Sequence, residues 1–139
     1  MKPYEPYWTS AMVQAYLEDA ADVMKALPRP RVQGYFSAWP DPVHDFWDAY
    51  GWTAAENRWR PTARQITQME YVCEWIRVMP VREGKIVWRR ACRVPWKVIA
   101  NDLQSSRASV ANWYSGGIGK IVAHLNASDP DGRLIKQSS

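Results

Sequence analysis

Two polar residues, Arg107 and Asn112, stand five positions apart in a segment with helical periodicity, and both residue types can hydrogen-bond the edges of DNA bases. The guanidinium of Arg matches the two acceptors that guanine presents in the major groove, and the amide of Asn matches the donor and acceptor of adenine. Val110 and Trp113 recur at the spacing of an apolar helix face. The pattern therefore predicts a helix whose outer side reads bases while Val110 and Trp113 point into a core.

A shorter helix must precede this one if residues 96 to 115 form a helix-turn-helix. That motif needs a small residue where the helices cross, and Ala100 supplies it. Ser106 can cap the second helix with its hydroxyl. Gln104 stands where glycine commonly makes the turn, and Ser105 stands where an apolar residue is common. The remaining apolar positions of the motif are filled by Ile99 and Leu103.

The same arrangement divides the residues expected on the surface around it into two groups. The first group would face base edges from the second helix, and the second would contact phosphates from helix ends and the flanking surface. Hydroxyl and backbone N–H groups at a helix N-terminus suit phosphate as well. The predicted base-reading residues are Arg107, Ala108, Ala111, Asn112 and Ser115, and the predicted phosphate-binding residues are Arg89, Arg90, Arg93, Lys97, Ser105, Ser106 and Lys120.

The distribution of charge points to a polyanionic partner that touches one side of the protein. Residues 80 to 124 hold eight Lys or Arg and only two acids, a net charge of +6, whereas the rest of the chain carries −2 of the total of +4. A basic block on a slightly acidic body is typical of nucleic-acid binding. Double-stranded DNA is therefore the expected partner. A plain packed helix pair with a solvated basic face is the structural alternative.

The elements that must support this motif are helical. The segment TSAMVQAYLEDAADVMKALP forms one apolar stripe with a Thr9 or Ser10 cap, and further helical patterns follow Asp41, Pro61 and Pro80. No strand-period segment of any length occurs. We expect an all-α, compact domain of about five or six helices. Its predicted parts are an N-terminal arm (1–8), a helical support and oligomerisation region (9–79), the helix-turn-helix region (80–126) and a frayed polar tail (127–139).

Three glycines interrupt the predicted last helix without a slip of its apolar period. Each interior Gly costs roughly 1 kcal/mol relative to Ala, so Gly116, Gly117 and Gly119 need a compensating contact. One interpretation is that a phosphate backbone or a second protein helix approaches closely here. The other is a helix break at Ser115, which would leave two short helices.

Several classes of function find no support in the sequence. Cys73 and Cys92 have no neighbouring ligands for zinc and are expected to be buried thiols, and His44 with Asp48 is an isolated pair. SGGIGK lacks the spacing and the preceding strand of a phosphate loop. We therefore expect no catalytic site, metal site or cofactor. No membrane span or export signal is recognisable, and a cytoplasmic location is expected.

The stretch REGKIVWRRACRVPWKVIANDLQSSRASVANWYSGGIGKIVAHLN resembles the C-terminal helix-turn-helix of sigma-factor region 4. It is more similar to an uncharacterised family of small helix-turn-helix proteins of alphaproteobacteria and their phages. That similarity extends over GYFSAWPDPVHDFWDAYGW and covers about residues 9 to 126. The resemblance implies a helical fold and DNA binding, but no established activity. Ser115, Gly116 and Gly117 stand where that family has basic or larger residues.

These observations favour a phage- or prophage-related regulator of transcription that binds DNA sequence-specifically. One helix-turn-helix covers little DNA, so a homodimer on paired half-sites is expected, with the stripe of the first helix as its contact. A small terminase subunit, which recognises packaging DNA as a ring, is the first alternative. The second is an interaction protein that contacts RNA polymerase or a sigma factor instead of DNA.

Overall fold

The computed structural model describes residues 6–27, 39–50 and 59–138. Within these ranges the chain forms seven α-helices and one 3-10 turn and no strand, so the prediction of an all-α fold is confirmed. None of these helices is both long and apolar enough to cross a membrane. In chain order the elements are α1 Ser10–Ala26, α2 Asp41–Tyr50, α3 Ala63–Cys73, the 3-10 turn Glu74–Val78, α4 Val81–Ala91, α5 Trp96–Asp102, α6 Arg107–Ser128 and α7 Arg133–Ser138.

Helix α1 lies in the core of the molecule. It begins at the Thr9 cap, whose hydroxyl accepts from the Met12 N–H, and it packs against α3, α4 and α6. Val13, Leu17 and Met24 of its apolar stripe are at most 2% exposed. Because this stripe is buried against the chain's own helices, it is not available to a second copy. The prediction that it forms the dimer contact is wrong.

Helix α4 links the N-terminal helices to α6. It packs against α1, α2 and α6, and Ile86, Val87 and Trp88 are almost fully buried. Its first turn follows Pro80, which stands as the N-cap residue. The close approach of α4 to α2 is possible because Gly84 has no side chain, since a Cβ there would lie 2.8 Å from Cγ of Pro42.

The C-terminal segment is folded onto the N-terminal one. The Trp8 indole Nε1 donates to the Asp129 carbonyl at 2.8 Å, and the Trp8 N–H donates to Oδ1 of Asn126 at 3.0 Å. Asp129 caps α7 by accepting from the N–H groups of residues 133 and 134, and Ile135 is fully buried. The prediction of a frayed tail after residue 126 is wrong, because one buried Ile and a helix cap anchor this segment.

Helix α6 is continuous through its glycines, so the predicted alternative of a break at Ser115 is wrong. A Cβ on Gly117 would lie 2.9 Å from Cγ2 of Val87 and 3.1 Å from Sδ of Met79. The surface that approaches Gly117 is therefore the chain's own α4. At Gly116 and Gly119 a Cβ would meet nothing within 4 Å, because both positions face outward.

Candidate nucleic-acid interface

A four-residue turn, Leu103 to Ser106, joins α5 to α6. Gln104 has a φ of 51° and so takes the left-handed conformation that glycine usually supplies at this point. Its N–H donates to the Asn101 carbonyl at 3.1 Å, and the Ser105 N–H donates to the Ala100 carbonyl at 2.9 Å. These two bonds satisfy carbonyls at the end of α5 and fix the direction in which α6 leaves.

The residues predicted to hold the two helices together do so, with one exception. Ile99 and Val110 are fully buried, and Ala100 is 6% exposed. Ser106 caps α6, and its Oγ accepts from the Ser109 N–H at 3.1 Å. Trp113 is only half-buried, so the prediction that it points into the core is wrong in part. Its ring instead supports the guanidinium of Arg82, whose Cζ lies 4.0 Å from the ring centroid.

Aromatic contacts fix the other side of α6. Tyr114 meets the Trp96 ring edge-on at 5.2 Å between centroids, which ties the second turn of α6 to the start of α5. Burial raises the pKa of the Tyr114 phenol above its ordinary value of 10, partly opposed by the charge of Arg90, so the phenol stays neutral near pH 7. The pair of helices is thus anchored by Val110 and by this aromatic contact.

All five predicted base-reading residues are exposed. At 100° per residue they share one side of the first two to three turns of α6, away from Val110. The side chains between Arg107 and Gly119 on this side are no larger than Asn112, so the helix backbone lies close to the surface. Helix α6 contains no Asp or Glu along its whole length. This surface, which we call the outer face of α6, can therefore approach an anion without repulsion from its own helix.

Lys97 and Arg107 lie on the rim of a shallow groove between α5 and the start of α6. Its volume is about 640 Å³, and its lining includes Asn101 and Ser105. In the part of the chain that the structure describes, neither Lys97 nor Arg107 has a carboxylate within ion-pair distance. The N-terminal end of α6 adds partial positive charge to the same groove. The groove is therefore suited to a phosphate group.

Four of the predicted phosphate-binding residues are engaged within the protein. Ser105 Oγ donates to the Leu103 carbonyl at 3.1 Å, and Ser106 Oγ caps α6 by accepting from the Ser109 N–H. Arg90 donates to the Val94 carbonyl at 2.9 Å, and its Cζ lies 4.5 Å from the centre of the Trp96 ring. Lys120 Nζ lies 2.7 and 2.8 Å from the two carboxylate oxygens of Glu83. Of these four side chains, only Lys120 is paired with an opposite charge within the described ranges.

Two further predicted phosphate contacts lie elsewhere. Arg89 is 6% exposed, and its Nη2 donates to Oδ2 of Asp45 at 2.8 Å. The prediction of a phosphate contact is therefore wrong for Arg89, because its side chain is on the buried face of α4. Arg93 faces α1, where its Nη1 lies 2.5 Å from Oδ1 of Asp22 and Glu18 is also near. Arg93 thus pairs with α1 rather than standing beside α6.

Sequence reasoning did not include Arg82 among the site residues. The residue belongs to the basic segment, but it lies outside the helix-turn-helix pattern and its contact with Trp113 joins residues 31 positions apart. Trp113, an aromatic residue next to the predicted base-reading position Asn112, is the sequence feature that could have identified Arg82. Among the described residues, no group of three or more His, Cys, Asp or Glu is arranged to hold a metal ion.

Comparison with known proteins finds one family. A family model described as a domain of unknown function, DUF6362, matches residues 25–121, which include α5 and most of α6. No curated protein and no solved structure matches the chain.

Proposed function

We propose that this chain, which belongs to the DUF6362 family, is a sequence-specific DNA-binding protein that reads double-stranded DNA with the outer face of α6. The observation that carries the proposal is the joint exposure of Arg107 and Asn112 on one helix that is anchored to the core by the buried Val110, about 160° around the helix axis from Asn112. A helix of this kind fits the major groove, and its N-terminal residues are those that reach base edges.

The residue types on the outer face define what could be read. Arg107 can donate two hydrogen bonds to guanine, and Asn112 can pair with the donor and acceptor of adenine. The methyl groups of Ala108 and Ala111 can contact the methyl group of thymine. Each good bidentate pair discriminates against a wrong base by about 1–3 kcal/mol. Two such pairs amount to useful specificity only when a second copy reads a second half-site.

The biological role that we propose is control of transcription by a homodimer in the cytoplasm. A single module of this kind buries about 600–1,000 Å² on DNA, which favours binding in pairs. The dimer contact must lie away from the apolar stripe of α1, since that stripe is buried. Measuring the mass of the protein in solution separates this role from DNA packaging: a dimer supports regulation, and a larger ring supports a small terminase subunit.

The decisive experiment is selection of random genomic fragments by the full chain at two salt concentrations, followed by sequencing. We expect a recurrent motif, and we expect Arg107→Ala and Asn112→Ala each to weaken binding to it about 5- to 100-fold and to relax one base position. Arg64→Ala, an exposed change of equal charge on α3, is the matched control and should leave binding unchanged.

Three outcomes would contradict the proposal. Retention without a motif that collapses steeply with salt would indicate only nonspecific attraction to phosphate. A motif that survives both substitutions would show that other residues read the DNA. If neither variant changes activity in cells and no DNA is retained, a contact with RNA polymerase or a sigma factor is the remaining interpretation.

A further inference from the structure

We infer that Arg82, at the start of α4 and outside the helix-turn-helix, contacts DNA phosphate and is held in position for this by Trp113. The inference rests on the proposed function and extends the interface to a second element of the fold. Arg82 is exposed, and its guanidinium lies over the half-buried ring of Trp113 at 4.0 Å.

The position of Trp113 on α6 places Arg82 at a different edge of the exposed surface from the other cations. At about 100° per residue, Trp113 lies about 100° beyond Asn112 around the helix axis, whereas Arg107 lies about 140° from Asn112 in the other direction. Lys97 lines the same groove as Arg107. The outer face of α6 is thus flanked by Lys97 and Arg107 along one edge and by Arg82 along the other.

Such flanking matches the geometry of duplex DNA. The major groove is about 12 Å wide and is bordered by two phosphate backbones, and a helix with its side chains nearly fills it. A helix in the groove with cations on one edge only would contact one strand. Cations on both edges allow contacts to both strands, which fix the depth and the orientation of the helix.

The charge of Arg82 is available for such a contact. Its neighbour Glu83 is mostly buried, and both carboxylate oxygens of Glu83 are taken by Lys120. Across the ranges that the structure describes, no carboxylate lies within ion-pair distance of Arg82. Stacking on an aromatic ring uses the face of the guanidinium and leaves its N–H edge for an anion. Trp113 therefore orders Arg82 without neutralising it.

The test measures how the affinity for the recovered DNA depends on salt. For Arg82→Ala we expect affinity to fall several-fold on specific and nonspecific DNA alike, with the motif unchanged. The slope of log K against log salt should decrease by about 0.9, the value for one lost phosphate contact. Arg82→Lys keeps the charge and should keep the slope, while the loss of stacking weakens binding less than Arg82→Ala does.

Arg64→Ala is again the control of equal charge, and unfolding curves of each variant establish that it is folded. A wild-type slope and affinity in Arg82→Ala, with the motif intact, would overturn this inference and leave the proposed function standing. A change of motif in Arg82→Ala would also overturn it, because phosphate contacts carry no sequence information. If the wild-type chain itself recovers no motif, the proposed function fails, and the inference fails with it.

Discussion

Gly116 and Gly117 are adjacent in α6, but a side chain would meet open space at Gly116 and the buried surface of α4 at Gly117. Replacing an exposed helical Gly with Ala gains about 0.5–1 kcal/mol, because the unfolded chain loses freedom. We expect Gly116→Ala to raise the free energy of unfolding by this amount. Gly117→Ala should lower it by about 1–3 kcal/mol, since Val87 is buried and cannot move aside.

Urea denaturation of the two variants measures this difference. Gly119→Ala, which also meets nothing within 4 Å, is the matched control and should follow Gly116→Ala. A Gly117→Ala protein as stable as Gly116→Ala would contradict the packing of α4 on α6. The helical period in the sequence predicts a continuous α6, but it does not identify which glycine is needed. That depends on α4, which contacts Gly117 from residues 30 or more positions away.

At the scale of elements, the helices and their connections follow from local chemistry. The cap at Ser106, the small Ala100 at the crossing and the turn at Gln104 could be predicted because each involves residues a few positions apart. The partners of the arginines could not. Arg89 meets Asp45 from 44 positions away and Arg93 meets Asp22 from 71, and no local period encodes such distances. The sequence therefore does not distinguish free basic residues from paired ones, whereas the fold engages Arg89, Arg90, Arg93 and Lys120 in contacts within the protein.

The contact between the chain's two ends is the second element-scale feature that the sequence did not reveal. We expect Trp8→Ala to lower the free energy of unfolding by about 3–5 kcal/mol, because it removes a fully buried ring. Asp129→Ala should cost about 1–2 kcal/mol, because α7 loses its cap. Thermal unfolding measures both changes. Asp131→Ala, an exposed carboxylate in the same turn, should change little, and an equal loss there would contradict the role of Asp129.

At the scale of the whole molecule, two buried thiols make stability sensitive to alkaline pH. Burial raises the pKa of Cys92 to about 12, despite the nearby charge of Lys25, and it raises the pKa of Cys73 further. A raised pKa in the folded state contributes stability that is complete below the unfolded value, about 8.5, and is lost as pH rises above it. The free energy of unfolding should therefore fall by up to about 1.4 kcal/mol per pH unit for each thiol.

Urea denaturation at pH 8, 9 and 10 tests this sensitivity. Cys92→Ala should make the decline between pH 9 and 10 about half as steep, whatever its effect at pH 8. Burial also raises the pKa values of Tyr16, Tyr71 and Tyr114, but the pKa of Tyr in the unfolded chain is about 10, so their effect on the free energy of unfolding begins above that pH. A decline of unchanged steepness in Cys92→Ala would show that this thiol is not the titrating group.

The contact of Trp8 with Asn126 and Asp129 has a practical consequence for anyone who handles the protein. It brings both ends of the described chain to the C-terminal end of α6, which at 1.5 Å per residue is about 30 Å from Arg107. A fluorophore or a tether to a sensor chip that is attached at an exposed position of α7, such as Leu134, will therefore stand well clear of Arg107. Molecules immobilised in this way would all present Arg107 and Asn112 outward, to the flowing solution.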